Sequence, residues 1–281
     1  MDSAIKYGDL SDYDFKRISD FIYNHYGINL YPKKKLLVKS RLQKRIRHLG
    51  LKDYSDYCDF LLKSDEGLNE SIYMIDRIST NKTDFFREAD HFEYLTSTFL
   101  SDYLSQYSTG NLKIWSAGCS SGQEPYTIAM ALSDVKNKFD FNFEIFASDI
   151  SISMLKIANN AVYPFNQLIQ IPNQFKKAYL LRSKDKKNLK FRINNELRNK
   201  VYFFHSNLLE SQTRLKEKMD VIFCRNTLIY FDRETQLRVI NNLLDKLKPN
   251  GYLFIGHSES LINMDLELEH VFPAVYKNIN K

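Results

Sequence analysis

Apolar residues recur at helical spacing through the first hundred positions and then give way to short continuous runs. Phe15, Ile18, Phe21 and Ile22 fall on one helical face; Ser11 with Asp14 gives a capping-box-like start, and Gly27 ends the segment. Pro32 and Gly50 bracket a helix of about five turns, with Val38, Leu42, Ile46 and Leu49 as a narrow apolar stripe. Two further amphipathic helices are predicted over Asp53 to Lys63 and Leu68 to Ser79, the second burying Leu68, Ile72, Ile75 and Ile78. Another, roughly Asp90 to Ser105, leads to a turn at Ser108-Thr109-Gly110-Asn111.

Beyond that turn, strands and helices alternate. Leu112 to Trp115, Phe143 to Ala147, Val201 to Phe204, Asp220 to Cys224 and Tyr252 to Gly256 read as strands. Pro125 to Val135, Ser151 to Ala161 and Arg233 to Leu247 read as helices. This order predicts an α/β doubly wound parallel sheet. Pro249-Asn250-Gly251 marks a helix-to-strand turn, and Ala274 to Lys277 adds an antiparallel edge strand. Between Tyr163 and Lys200 lies an insertion whose Leu189 to Ile193 alternates with period two, the pattern of a small β-appendage. The expected organisation is a helical domain over 1–85, a connecting helix over 86–110, and an α/β domain over 111–281 with a β-subdomain at about 165–200.

The segment from Ile114 to Pro125, IWSAGCSSGQEP, carries the most chemistry. It reads as a strand, a turn of small residues including Ala117 and Gly118 that lets backbone approach a ligand, and a helix whose first turn accepts Pro125. A crevice at the carboxyl end of a parallel strand is where open α/β sheets bind nucleotide-like ligands. Asp149, at the end of the next strand, is placed to accept hydrogen bonds from ribose hydroxyls; its other possible role is to cap the helix near Ser151. Gly118 and Gly122 stand four apart, so the G-x-G-x-x-G spacing of a pyrophosphate turn is missing. A ligand with a ribose and no phosphate fits better, and by analogy of fold that ligand is S-adenosylmethionine. Arg225 and Asn226 follow an apolar strand directly, a costly placement unless they are paired or bind something.

Composition sets the remaining bounds. The 281 residues suffice for two domains, and no apolar run long enough to span a membrane and no signal-peptide pattern appears, so a soluble cytoplasmic protein is expected. Cys58, Cys119 and Cys224 are far apart and read as reduced, mostly buried thiols; the six histidines show no ligand spacing, so no metal is expected. The net charge of +6 is uneven: from Tyr31 to Lys52 there is no acid among Lys33, Lys34, Lys35, Lys39, Arg41, Lys44, Arg45 and Arg47. Lys33, Arg41, Lys44 and Arg47 fall opposite the apolar stripe, which predicts a surface for an acidic partner.

STNKTDFFRE from Ser79, WSAGCSSGQEPYTIAMAL, FASDIS, SNLL from Ser206, FCRNTLIYFD from Phe223, LKPNGYLFIGHSESL from Leu247 and the closing VYK together resemble the CheR family, the chemotaxis receptor methyltransferases. The likeness runs from about residue 10 to the end; Gln123 and Asn250 depart from the usual acid and glycine. It implies a Rossmann-like class I methyltransferase sheet with a small all-α N-terminal domain and an inserted β-subdomain. It further implies glutamate O-methylation of receptors from S-adenosylmethionine. The matching motifs assign cofactor contacts to Asn81, Thr83, Arg87, Ala117, Gly118, Glu124, Asp149, Asn207, Leu208, Arg225 and Asn226, with Arg87 and Tyr230 orienting the acceptor. The expected partner is the cytoplasmic helical region of the receptor, met by Lys33, Arg41, Lys44, Arg45 and Arg47 of a monomeric enzyme. The other function classes are a nucleic-acid methyltransferase using the basic helix, which lacks interleaved aromatics here, and a non-catalytic cofactor-binding scaffold.

Overall fold

The computed structural model describes residues 8–106, 110–136, 139–185 and 187–280, so Ser108 and Thr109 of the expected turn lie outside the described residues. The chain divides into two units, one running to Thr80 together with Tyr230–Thr235, the other comprising Asn81–Ile229 and Gln236–Lys281.

The smaller unit is helical: α1 Asp12–Tyr26, α2 Lys35–Leu49, α3 Tyr54–Lys63 and α4 Asp65–Ile78. Each start is set by local chemistry. Ser11, Asp53 and Ser64 accept hydrogen bonds from the backbone N–H groups of Asp14, Asp56 and Gly67, and a 3-10 turn at Pro32–Lys34 leads into α2. Gly27 and Gly50 end α1 and α2 in the left-handed conformation. Val38, Leu42 and Ile46 are fully buried, as the stripe predicts. The buried face of α4 is instead Met74, Ile75 and Ile78 with Glu70 and Ser71, while Leu68 is 63% exposed. Buried Glu70 is the physical reason for that rotation: it accepts from Arg45 Nε at 2.9 Å and from the Tyr57 hydroxyl at 3.0 Å, so the helix turns a polar residue inward to meet a buried cation. Residues 230–235 pack with these helices through the Ile28–Phe231 bridge and a Tyr23 hydroxyl bond to Asp232 at 2.7 Å.

The larger unit opens with α5 Asp90–Tyr94, a π-turn at Leu95–Phe99 and α6 Leu100–Gln106, so the expected single helix is interrupted. Then follow β1 Asn111–Ala117, α7 Gln123–Val135, β2 Asn142–Asp149, α8 Ile152–Asn160, β3 Val162–Pro164, α9 Asn173–Tyr179, β4 Leu180–Arg182, β5 Lys190–Ile193, α10 Asn195–Arg198, β6 Val201–His205, β7 Met219–Cys224, α11 Arg233–Leu244, β8 Leu247–Ile255, β9 Leu268–Phe272 and β10 Val275–Asn278. The main sheet has seven strands in the order β6-β2-β1-β7-β8-β10-β9. Its first five are parallel, with Ile114 beside Ile145 on one side and Val221 on the other. The order reverses at β1, whose neighbours β2 and β7 belong to the two halves of the sheet. Every residue of β7 is buried, as expected of a central strand covered on both faces.

Two expectations at the far edge fail. Pro249-Asn250-Gly251 lies within β8 rather than in a turn before it, because the strand already begins at Leu247 and absorbs a register irregularity against β7, with Asn250 at φ 60°. The strand at 275–278 is antiparallel as predicted but is not the edge: β9 pairs outside it. The insertion does form a separate three-stranded antiparallel sheet in the order β3-β5-β4.

Candidate cofactor site

The carboxyl ends of β1, β2, β6 and β7 share one edge of the sheet, and the loops leaving them carry most of the residues the sequence singles out. After β1 the chain turns through Gly118, at φ 87°; a Cβ there would stand 2.5 Å from Thr227 Oγ1, so the turn lies against the loop after β7 with no room for a side chain. Its amide and that of Cys119 both donate to the Ser148 carbonyl, at 2.8 and 2.9 Å, which ties the β1 turn to the end of β2. Ala117 is buried just before it.

Asp149, the last residue of β2, accepts the Ser120 N–H at 2.7 Å with one oxygen and the Ser151 N–H at 2.8 Å with the other. It joins the two turns that follow β1 and β2. The cap of α8 is the Ser151 hydroxyl, which accepts from Met154 N–H at 3.2 Å, so the carboxylate is not needed as the cap. Asn81 reaches the same turn through its carbonyl, which accepts from the Ser120 hydroxyl at 3.0 Å. Thr83 and Arg87 are half-buried in the same segment, and Arg87 Nη1 lies 3.4 Å from the Lys82 carbonyl.

Beside β7 lies an ion network that the sequence left half-read. Arg225 is buried, and its guanidinium donates to Glu88 Oε2 at 2.9 Å, to Glu124 Oε2 at 3.3 Å and to the Arg87 carbonyl, over the face of Phe92 at 5.2 Å. Glu124 also accepts the Ser116 hydroxyl at 2.7 Å. Asn226 Nδ2 is 3.3 Å from Glu88 Oε1. The two glutamates respond oppositely to this setting. Burial pushes the Glu124 carboxyl above the usual range despite Arg225 and Ser116. For Glu88 burial acts in the same direction, but Arg225 and Asn226 outweigh it and hold the carboxyl below its ordinary value. Burial also keeps the neighbouring His91 neutral, its pKa lowered to about 4.

Glu88 and Glu259 are the site residues that sequence reasoning missed. Glu259 accepts backbone N–H bonds from Gly256 at 2.6 Å, Asn226 at 2.9 Å and Ile229 at 3.2 Å, and so fixes the loop after β7 to the end of β8. For Glu88 the available signal was Arg225 itself: a buried guanidinium after an apolar strand demands carboxylates, and Glu88 lies within a segment already singled out; Glu259, held by backbone N–H groups, left no such signal. Phe86, Glu88, Ser120 and Asn226 adopt φ values of 54°, 55°, 48° and 56°, a concentration of strained backbone around this network.

On the β6 side, Asn207 Oδ1 accepts the Leu209 N–H at 3.1 Å, folding its own turn, and the carbonyl of buried Leu208 accepts from Asn242 at 2.9 Å. Tyr230 belongs to the smaller unit, where its hydroxyl donates to the Thr80 carbonyl at 3.3 Å and Lys34 lies over its ring. The structure thus gathers the expected cofactor residues in one unit and assigns the two expected orienting residues, Arg87 and Tyr230, to different units. The side chains fit S-adenosylmethionine: the Asp149 and Glu124 carboxylates suit hydroxyl and ammonium groups.

Comparison with known proteins agrees with this geometry. The family description "CheR methyltransferase, all-alpha domain" matches residues 13–79, and "CheR methyltransferase, SAM binding domain" matches residues 81–276. The chain is 42% identical over 269 residues to a chemotaxis protein methyltransferase of Borreliella burgdorferi, covering 94% of this chain and 93% of that one. It is 39% identical over 256 residues to a chemotaxis protein methyltransferase of Escherichia coli, covering 91% of this chain and 87% of the other.

Proposed function

Because this chain belongs to the CheR methyltransferase family, matched over both its helical and its cofactor-binding domain, we propose that it methylates glutamate side chains of chemotaxis receptors, forming methyl esters. The observation that carries this reading is the crevice where the sheet order reverses, with Asp149 at the end of β2 and the Glu88–Arg225–Glu124 network at the end of β7. S-adenosylmethionine, bound there, supplies an electrophilic methyl group on a sulfonium.

The chain's own residues bind and orient. Asp149 holds ribose hydroxyls. Glu124, kept in place by Ser116 and Arg225, meets the ammonium of the amino-acid part, and Arg225 acts through Glu124 rather than by direct contact. Asn207 and Leu208 border the adenine, while Asn81 and Thr83 close the other side. An acceptor glutamate has a reference pKa of about 4.3 and is ionised at neutral pH, so no general base is required of the protein. Alignment of the two reactants out of water then supplies most of the rate, to which orientation in intramolecular systems contributes roughly 7 to 11 kcal/mol. Arg87 and Tyr230 orient the acceptor carboxylate.

No described helix is long and apolar enough to cross a membrane, and the enzyme works as a cytoplasmic monomer on the receptor's helical region. A nucleic-acid substrate is disfavoured because Arg41 and Arg45, two cations of the basic helix, are spent on internal partners. The test is mass spectrometry of a receptor cytoplasmic fragment after incubation with enzyme and S-adenosylmethionine. Methyl groups are expected on glutamates alone and are lost in a fragment with those glutamates changed to glutamine. Methylation of nucleic acid, or of the fragment at other residue types, would overturn the reading.

A further inference from the structure

His91, His257 and Glu88 converge in the larger unit although the sequence spacing gave no sign of a metal site. His91 lies in α5 and is fully buried. Its Nε2 is 3.1 Å from the Pro273 carbonyl, an oxygen that only accepts, so Nε2 carries the proton and Nδ1 presents a lone pair. Nδ1 is buried and has no hydrogen-bond partner among the described residues. It faces another electron-rich atom, Glu88 Oε2, at 3.8 Å. A buried acceptor facing a carboxylate with no proton between them is unfavourable unless a cation joins them.

One ring nitrogen of His257, from the loop after β8, completes the group: the three ligand atoms lie within 4.8 Å of one another. The His257 ring meets that of His91 edge-on, with centroids 4.6 Å apart. Bonds of about 2.0 to 2.2 Å to a tetrahedral ion need ligand atoms about 3.4 Å apart, a contraction within the reach of side-chain rotation at partly exposed His257. Asp90 Oδ2, 3.1 Å from His257 Nε2, provides the carboxylate that typically orients a ligating imidazole. Arg225 donates to the same Glu88 oxygen, Oε2, at 2.9 Å, but Glu88, Asp90 and Glu124 set three carboxylates around that single guanidinium.

We propose that Glu88, His91 and His257 form a binding site for a borderline divalent transition ion, zinc being its representative, with a fourth position open to solvent. The site adjoins the Arg225 network through Glu88 and stands whatever the methyl acceptor is. It is tested on the full chain without cofactor or receptor. After stripping with a chelator, the protein is titrated with cobalt(II) and the visible absorption of a tetrahedral site is followed; zinc is then added in competition. One equivalent of cobalt with an intense visible band, displaced by one equivalent of zinc, is expected. His257→Ala, at a side chain 40% exposed, keeps the fold by circular dichroism and weakens binding at least tenfold, whereas His48→Ala on exposed α2 surface has no effect. Absence of a stoichiometric band, or equal binding by folded His257→Ala, would overturn the proposal and leave Nδ1 of His91 to a bound water.

Discussion

Arg225 and Asp149 show how single residues set the site. Each is a charged group at the end of a buried strand, and each is tolerated because its partners are supplied by neighbouring loops. Asp149→Ala removes both the ribose acceptor and the tie between two turns. Charge-assisted hydrogen bonds of this kind contribute about 1.5 to 3 kcal/mol, so S-adenosylmethionine binding measured by calorimetry should weaken at least tenfold. Asp149→Asn keeps one acceptor oxygen and should lose less. Unchanged affinity in Asp149→Ala would remove the ribose role. Tyr230→Phe is expected to lower turnover while cofactor affinity stays within about threefold, since its hydroxyl is assigned to the acceptor; a parallel loss of affinity would move it to the cofactor.

The pH response also belongs to single residues. Glu88 has a folded pKa below its ordinary 4.5, so the stability it contributes is complete above that value and is lost as pH falls through the lower folded one. His91, neutral in the fold down to about 4 against an ordinary 6.5, costs stability earlier on the same descent because only the unfolded chain takes up the proton. Thermal unfolding of metal-free protein from pH 7 to 3 should therefore show a decline that starts through His91 below about 6.5 and continues through Glu88 below 4.5, and Glu88→Gln should flatten the lower part alone. Identical slopes in both proteins would contradict the assignment. Asp149 and Arg225 were legible because a charge beside an apolar run stands out in a sequence. Glu88, Glu259 and His257 were not, because their partners lie far away along the chain and only the folded loops bring them together.

At the scale of elements, α2 carries the clearest revision. Its apolar stripe was readable, since Val38, Leu42 and Ile46 recur at helical spacing, but the use of its cations was not. Arg41 Nη1 donates to the carbonyls of Arg77, Ile78 and Ser79 at 3.2, 2.7 and 2.9 Å, so it caps the end of α4, and Arg45 pairs with buried Glu70. Lys35 and Lys39 pair with Asp12 and Asp9. Lys33, Lys44 and Arg47 are exposed and form the outward basic face. Arg41→Ala should cost about 1 to 2 kcal/mol in denaturant unfolding. Reversing Lys33, Lys44 and Arg47 to glutamate should change stability little and slow receptor methylation at low receptor, the defect shrinking as receptor or salt is raised. Equal loss of stability in both variants, or equal methylation rates throughout, would return the helix to a purely structural role. β9 went unread for a related reason: Leu268–Phe272 has neither clean alternation nor an apolar run, and it is a strand because β10 offers it an edge.

For the whole molecule, the alternation of strands and helices after residue 110 was enough to predict the parallel sheet, because each parallel pair needs a crossover and the crossovers leave amphipathic signatures. What the pattern could not give was the point where strand order reverses, which is a property of pairing between β1 and β7 over a separation of about a hundred residues. That point locates the cofactor crevice, and on it rests the claim that this chain forms carboxyl methyl esters. The most direct measurement is transfer of labelled methyl from S-adenosylmethionine to a receptor cytoplasmic fragment, followed by mild base. Incorporation that depends on Asp149 and release of the label as methanol, as an ester requires, are the expected results. Incorporation that survives base, or none at all with a receptor fragment bearing free glutamates, would contradict that claim.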